Sequence, residues 1–545
     1  MMLLGDILVA KGLVTKDDVE RALAHQRENG GRFGDCLAAL GVVTAEQIEE
    51  VVSETPEAPR NLDEIDVEQM LLLQLMIKGL HVESFETPSQ ITDAMKLPDA
   101  IVIELLGEAV DRRLVEIIGQ ADSRGGLLSE MRYQLSDLGR NWAVEALDQS
   151  QYFGPAPVTL ESFTERVMRQ RITNEWVNRD DLVKAFQHLV IPDRFIDRLG
   201  PSINSGTAIL LYGPAGNGKT SIAEIIGGIF SNVIYIPHCI EVDGQIIKIY
   251  DPAVHRPINA ADAEGKAPPS IMREHLDKRW VPCFRPLVIT GGELTLDMLD
   301  LKFSEISKFY EAPLHIKAIN GIFVVDDFGR QRAAPEDILN RWILPLSNRV
   351  DYLSLHTGKT FQVPFDELVI FSTNMHPADL MDPAFLRRIT YKLETVAPPE
   401  DLYRQVFENA SEKAGLELTE EIYRQVVDEV RAHDAPLAYY HPVFIVGQVL
   451  ASCKFEGIEP QFTSDNVHDA TLNLFIRERS DPSVDGVAGK DAPAAAQSSA
   501  PAKASASASS PPAEDARPAE KPARATASGS PDPAPAAPAA VSSTV

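Results

Sequence analysis

The stretch Leu210-Leu211-Tyr212-Gly213-Pro214-Ala215-Gly216-Asn217-Gly218-Lys219-Thr220-Ser221 sets a glycine-rich loop directly behind a short apolar run. The apolar run reads as a buried strand, and the pattern G-x-x-x-x-G-K-[ST] spans Gly213 to Thr220. Each position has a physical task. Glycines let backbone N–H groups curl around phosphates, Lys219 reaches the β and γ oxygens, and Thr220 is suited to hold Mg²⁺. Strand, loop and following helix predict a nucleotide site built from Gly213, Pro214, Ala215, Gly216, Asn217, Gly218, Lys219, Thr220 and Ser221.

A metal ion at such a loop needs a further oxygen ligand at the carboxyl end of a neighbouring strand. Ile322-Phe323-Val324-Val325-Asp326-Asp327 supplies one. Asp326 falls at the metal-holding position, and Asp327 falls where a general base polarises an attacking water. A third strand, Leu368 to Phe371, runs into Ser372-Thr373-Asn374 and sets an amide at the next strand end. Asp382-Pro383-Ala384-Phe385-Leu386-Arg387-Arg388 follows. Asn374 also fits a helix cap or Asx turn, and the two arginines also fit an exposed helical pair.

These four elements, in this order between about Asn178 and Phe475, resemble the AAA+ ATPases. Gly213–Thr220 resembles their Walker A segment, Asp326-Asp327 Walker B, Asn374 sensor 1, and Arg387-Arg388 the arginine-finger segment. The resemblance implies an α/β ATPase core over 165–398 and a helical lid over 399–477. It implies ATP and Mg²⁺ as cofactors, with Thr220 and Asp326 as metal ligands and Asp327, Asn374, Arg387 and Arg388 as catalytic groups. It also implies a homo-oligomer, such as a hexameric ring, in which an arginine completes a neighbour's site. There are two departures from the pattern. Asp327 stands where the second Walker B carboxylate is usually Glu, and the lid helix reads Tyr440-His441-Pro442-Val443-Phe444 where a sensor 2 arginine is usual. That role is empty or falls to His441.

Composition bounds the alternatives. At 545 residues the chain is long enough for three or four domains, and 44% hydrophobic content suffices for globular packing. A formal charge of -29 argues against broad nucleic-acid affinity, which needs clustered Lys and Arg. The strongest apolar run, Met70 to Ile77, is too short to cross a bilayer and is interrupted by Gln74. The start, Met1 to Asp6, lacks the basic segment of a signal peptide. Cys36, Cys239, Cys283 and Cys453 are scattered without metal or disulfide spacing, which predicts reduced thiols and a cytoplasmic protein. From Ser480 onward there is no Leu, Ile, Phe, Tyr or Trp, which predicts a disordered Ala/Pro/Ser-rich tail over 478–545.

The front of the chain, 1–54, repeats itself at an offset of 29 residues. Gly5, Asp6, Leu8, Gly12, Val14, Thr15 and Val19 reappear as Gly34, Asp35, Leu37, Gly41, Val43, Thr44 and Ile48. Each copy reads as a helix closed by glycine, then a Thr-led capping box, Thr15 to Asp18 and Thr44 to Gln47, opening a second helix. This small helical module resembles the N-terminal domain of type II secretion and type IV pilus assembly ATPases, some of which bind cyclic di-GMP. Arg32-Phe33-Gly34 keeps the arginine of that motif, whereas the first copy has Leu3-Leu4-Gly5. Losing one arginine removes a bidentate partner for a dianion, so protein docking is the stronger reading and cyclic di-GMP the weaker one.

Residues 62–150 read as helices holding Met70, Leu73 and Ile77, then Thr87 to Met95, then Pro98 to about Leu114. A hairpin of Val115–Ile118 and Met131–Leu135 follows around a Ser123–Gly126 turn. The order resembles a winged helix. Its third helix carries Asp99, Glu104, Glu108 and Asp111 against Arg112 and Arg113, which favours a protein partner over DNA. Between Tyr235 and Asn320 the chain is long enough for an insertion, with a hairpin turning at Asp243-Gly244. Lys308-Phe309-Tyr310-Glu311 reads either as an aromatic loop aimed at a pore or as a helix-end anchor.

The whole is therefore expected to be multidomain α and α/β: a helical repeat, a winged-helix-like module, an AAA+ core with its lid, and the tail. It would couple ATP hydrolysis to remodelling or regulation of a protein client, such as a secretion or pilus component. The alternative is an ATP-binding signalling adaptor with little hydrolysis.

Overall fold

The computed structural model describes residues 8–9, 13–29, 33–44, 55–120, 130–230, 232–258 and 276–475. All lie in the unit Met1–Ile476, while the unit Arg477–Val545 lies outside the described residues, together with the tail reading. Arg32, Leu3–Gly5, the Ser123–Gly126 turn and the second capping box beyond Thr44 also lie outside them.

Five short strands form the central sheet: β1 (Ile209–Tyr212), β2 (Leu287–Thr290), β3 (Ile322–Val325), β4 (Leu368–Thr373) and β5 (Tyr391–Glu394). Their order is β5-β1-β4-β3-β2, and every pairing is parallel. A parallel sheet is covered on both faces, so its strands read as continuous apolar runs, and all of β3 and β4 is buried. Alternate residues still divide between the faces. Ile209, Leu211, Ile322, Val324, Leu368 and Ile370 pack with the helices Asp193–Asn204 and Lys219–Ile229. Leu210, Phe323, Val325, Val369 and Phe371 pack on the other side with Trp342 and Phe365.

The segment after Lys219–Ile229 carries the insertion. Cys239–Val242 and Gln245–Lys248 pair antiparallel, with Val242 opposite Gln245. The turn between them takes positive φ at both Asp243 (56°) and Gly244 (74°), as a two-residue turn matched to strand twist requires. These strands sit within a second five-stranded sheet with Val158–Thr159, Tyr310–Glu311 and Lys302–Phe303. The pore-loop reading of Lys308–Glu311 is corrected here. Tyr310 and Glu311 are ladder residues paired parallel to Ile247 and Lys248, and that pairing buries the Tyr310 ring, whose hydroxyl accepts from His356 N at 2.8 Å.

Ahead of the insertion run helices Gln69–Val82, Pro88–Met95 and Asp99–Asp111, an antiparallel pair Val115–Gln120 and Met131–Leu135, and helix Asp137–Gln149. Their apolar cluster is continuous with Cys239 and Ile246 of the inserted hairpin, and the Tyr152 hydroxyl meets Cys239 Sγ at 3.1 Å. At the front, helices Lys16–Asn29 and Phe33–Ala39 are formed. The Thr15 capping box closes the first of these, with Thr15 N donating to Asp18 Oδ2 at 3.0 Å and Asp18 N donating to Thr15 Oγ1 at 3.3 Å. Past β5, helices Glu400–Lys413, Glu420–Ala432, Tyr440–Glu456 and Ser464–Leu474 enclose a separate core of Tyr403, Phe407, Tyr423, Val426 and Ile445.

One buried side chain ties the segment preceding the central sheet to its edge. Arg285, just before β2, pairs with Glu175 at 3.0 Å and donates to the carbonyls of Asn320 (2.6 Å), Gln170 (3.1 Å) and Arg171 (3.3 Å). Removing one partner of a buried ion pair leaves the other charge uncompensated. Arg285→Met is therefore expected to cost about 3–5 kcal/mol. Urea unfolding that shows a loss below about 1 kcal/mol would contradict this account.

Candidate functional site

The loop begins where β1 ends, and three of its glycines adopt conformations closed to most residues. Gly213 (φ 138°), Gly216 (φ 77°) and Gly218 (φ 76°) bend the chain so that the helix opens at Lys219. A side chain at Gly213 would put its Cβ 2.2 Å from the Thr395 carbonyl oxygen beyond β5, so the loop lies tight against its neighbour. Pro214 and Ala215 are exposed at the loop's tip, while Ser221 lies in the helix's first turn. Asn217 is buried, and neither its Oδ1 nor its Nδ2 has a hydrogen-bond partner. Lys219 folds back into the loop, donating to Gly213 O and Pro214 O, each at 2.9 Å. Burial lowers its pKa, while the nearby Asp327 and Asp326 carboxylates pull it the other way.

The parallel sheet brings the carboxylates to the same edge. Asp326 directly follows β3, its N–H donating to Thr290 O of β2 at 2.8 Å. Its Oδ2 accepts from Thr220 Oγ1 at 2.8 Å. Asp327, exposed and in the left-handed region (φ 48°), accepts at Oδ1 from Asn374 Nδ2 at 3.0 Å. Thr220 is thus joined to Asp326 and Asn374 to Asp327, from three strand ends. Arg387 and Arg388 are exposed, directly after a short helix Pro383–Leu386 whose N-terminus is capped by Asp382, with Phe385 N donating to Oδ1 at 2.6 Å.

In the helices after β5, His441 does not face the loop. It is buried, accepts from Ala438 N at 3.3 Å, and sits edge-on to Tyr403 and Phe475; burial pushes its pKa down to about 4. The reading that gave His441 the sensor 2 role is corrected accordingly: its ring belongs to the core of the helices that follow β5. The residue before it makes the contact instead. Tyr440 N donates to Gly216 O at 3.2 Å, and a Cβ on Gly216 would fall 2.1 Å from the Tyr440 ring. Nothing in local sequence marks this contact, which joins residues more than two hundred positions apart.

Residues 399–473 match the family model of a domain of unknown function (DUF8689). No curated protein sequence matches the chain. Similar solved structures include the RuvB Holliday junction branch migration motor of Thermotoga maritima, at 13% identity over 52% of this chain and 69% of that one, TM-score 0.29. Domain III of the T. maritima replication initiation protein DnaA is another, at 12% identity over 54% of this chain and 98% of that one, TM-score 0.31.

Gly216 and Gly218 separate two costs that usually come together. Both have φ near 77°, but a Cβ on Gly218 meets nothing within 4 Å, whereas one on Gly216 meets the Tyr440 ring. Gly218→Ala should incur only the left-handed backbone cost of about 1–2 kcal/mol. Gly216→Ala should lose more, because the contact with Tyr440 must also open. Thermal melting of the two variants side by side tests this, and equal losses would mean that the Tyr440 contact contributes nothing.

Proposed function

We propose that the chain is an AAA+ ATPase that couples ATP binding and hydrolysis to remodelling or regulation of a protein partner. The observation that carries this reading is the joining of Thr220 to Asp326 and of Asn374 to Asp327 at the carboxyl edge of a parallel sheet, beside a glycine-rich loop. In open α/β sheets, ligands bind outside the carboxyl ends of the strands.

The residues present fit ATP and Mg²⁺. Gly213 and Gly216 leave no room for a Cβ, because Thr395 and Tyr440 already lie against them, and buried Asn217 presents unpartnered polar atoms within the same loop. Thr220 Oγ1 and Asp326 Oδ2, 2.8 Å apart, are hard oxygen donors of the kind Mg²⁺ takes. Mg²⁺ held by these oxygens would supply neutralisation of phosphate charge. Lys219 exchanges its two loop carbonyls for phosphate oxygens. Asp327 accepts a proton from the attacking water, with Asn374 setting the direction of its carboxylate. Arg387 or Arg388, exposed on the surface, completes a neighbouring subunit's site in a ring. Such a finger is worth roughly 10³ to 10⁵ in rate.

The client is proposed to be a protein, recruited by the front repeat and the winged-helix-like module. A secretion or pilus component is the client class that the front repeat suggests. Cyclic di-GMP would find in Arg32 only one arginine of the motif's usual pair. Among the described residues no helix is long and apolar enough to cross a membrane. The acidic face of helix Asp99–Asp111, with Glu104 and Asp111 exposed, supports a protein rather than DNA as partner. One observation favours slow hydrolysis in an ATP-binding adaptor: the Asp327 carboxylate is short and already held by Asn374.

Lys219→Ala is expected to weaken ATP binding about 100-fold, since a charge-assisted contact is lost. Unchanged affinity in a titration would sink the phosphate-loop assignment. Asp327→Asn should keep Mg-ATP bound and stop turnover, because the amide accepts no proton. Turnover at the parent rate would show that Asp327 is not the base and that hydrolysis uses another carboxylate.

A shared site also predicts complementation. A Lys219→Ala chain and an Arg387→Ala, Arg388→Ala chain, each inactive alone, should regain partial turnover when co-assembled, because some interfaces pair an intact loop with an intact arginine. Mixed assemblies verified by mass with no recovered turnover would assign the arginines to their own chain.

A further inference from the structure

The turn that carries Asp326 and Asp327 is held by a residue outside the motif. Gln331 folds its side-chain amide back over the turn and uses both ends of it. Its Oε1 accepts from Gly329 N at 2.8 Å, while its Nε2 donates to Asp326 O at 2.8 Å and Asp327 O at 3.3 Å. The opposite side of the turn is bonded to β4: Phe328 N donates to Ser372 O at 2.6 Å, and Phe328 O accepts from Thr373 Oγ1 at 2.8 Å. Between these two anchors the backbone passes through positive φ at Asp327 (48°) and Gly329 (105°). A left-handed residue persists only where its surroundings over-determine it.

We infer that Gln331 is a positioning residue for ATP hydrolysis, setting the direction of the Asp327 carboxylate by fixing the turn that carries it. The inference rests on the ATPase reading above. The two anchors act differently. The Phe328 bonds fix the turn to the sheet, where the folding core would hold it in any case. The Gln331 bond to Asp326 O fixes the peptide plane ahead of Asp327, whereas the plane after it is also held by Phe328 N on Ser372 O and by Arg330 N, which donates to Asp327 O at 3.0 Å. Loss of the amide would loosen the plane ahead of Asp327, and the carboxylate would sample directions away from the phosphate loop. The loop residues make none of these contacts, so ATP binding is separable from carboxylate orientation.

Gln331→Met keeps the side chain's length and removes all three bonds. Gln331→Glu keeps the acceptor for Gly329 N but turns a carboxylate oxygen toward two carbonyls. The side chain is part-buried and bonds only to its own turn, so neither change should unfold the protein. The experiment measures steady-state kcat, ATP affinity by direct titration under non-hydrolysing conditions, and melting temperature, for the parent and both variants of the full chain. We expect kcat to fall on the order of tenfold for Gln331→Met, and further for Gln331→Glu, with ATP affinity within about twofold of the parent. Unchanged kcat in Gln331→Met, or a fall in kcat matched by an equal fall in ATP affinity, would overturn the positioning role. A parent protein that binds ATP without turnover would instead overturn the ATPase reading, and this inference with it.

Discussion

Parallel pairing of β4 with a strand on each side is the constraint on which the site depends. Ile370 lies opposite Ile209 of β1, and Leu368 lies opposite Ile322 of β3. Because both ladders run in one direction, the three carboxyl ends emerge on one edge. Neighbouring strands are about 4.8 Å apart, so the ends of β1 and β3 fall within about 10 Å of each other across β4. Thr220 and Asp326 can therefore meet side chain to side chain, and Asn374, leaving the middle strand, reaches Asp327. Register is held by burial: β4 packs apolar side chains against both layers, and a slip by one residue would exchange Val369 and Phe371 with Leu368 and Ile370. The site thus inherits its geometry from side chains that never approach it.

The central strands were legible for the same reason. Fully buried parallel strands read as short unbroken apolar runs followed by polar or small residues, and Ile322–Val325 and Leu368–Phe371 each do so. The Asp243-Gly244 hairpin was legible because its turn needs two positive φ angles, which few residue pairs supply. The Tyr310 environment was not. Its strand pairs in parallel with a segment some sixty residues earlier, and the stretch between them includes Trp280–Cys283, which pairs with Ile234–Pro237, and β2, which pairs with β3. Lys308–Glu311, read alone, shows only an aromatic pair flanked by charge. The same limit hid Tyr440. Its neighbour His441 carries the polar ring that sequence chemistry notices, yet the helix rotation sets that ring against Tyr403 and Phe475 and turns the tyrosine backbone toward Gly216.

The insertion changes what the flanking segments can do. In a bare strand–helix–strand connection, nothing would join the chain ahead of the glycine-rich loop to the chain behind it. Here Val158–Thr159 adds a strand beside Cys239–Val242, and the apolar cluster of the preceding helices runs on into Cys239 and Ile246. The buried Tyr152–Cys239 contact and the Ala156 N to Met95 O bond, 2.8 Å, lie along the same seam. The helices between Gln69 and Gln149 therefore share packed surface with the segment behind the glycine-rich loop through the inserted sheet. Displacement of one would be felt by the other through close-packed apolar contact, which is stiff.

The shorter carboxylate at position 327 follows from the turn rather than standing against the site. A residue in the left-handed region incurs a steric cost that Asp and Asn bear better than longer side chains, because a short polar group can bond locally. Asp327 does bond locally, to Asn374, while Gln331 and Phe328 hold the backbone on either side. A glutamate at the same φ would keep the strain and lose the fit to Asn374. The turn and the carboxylate are thus matched to each other: the conformation that tips Asp327 out of the strand toward Asn374 is the one that selects an aspartate to occupy it.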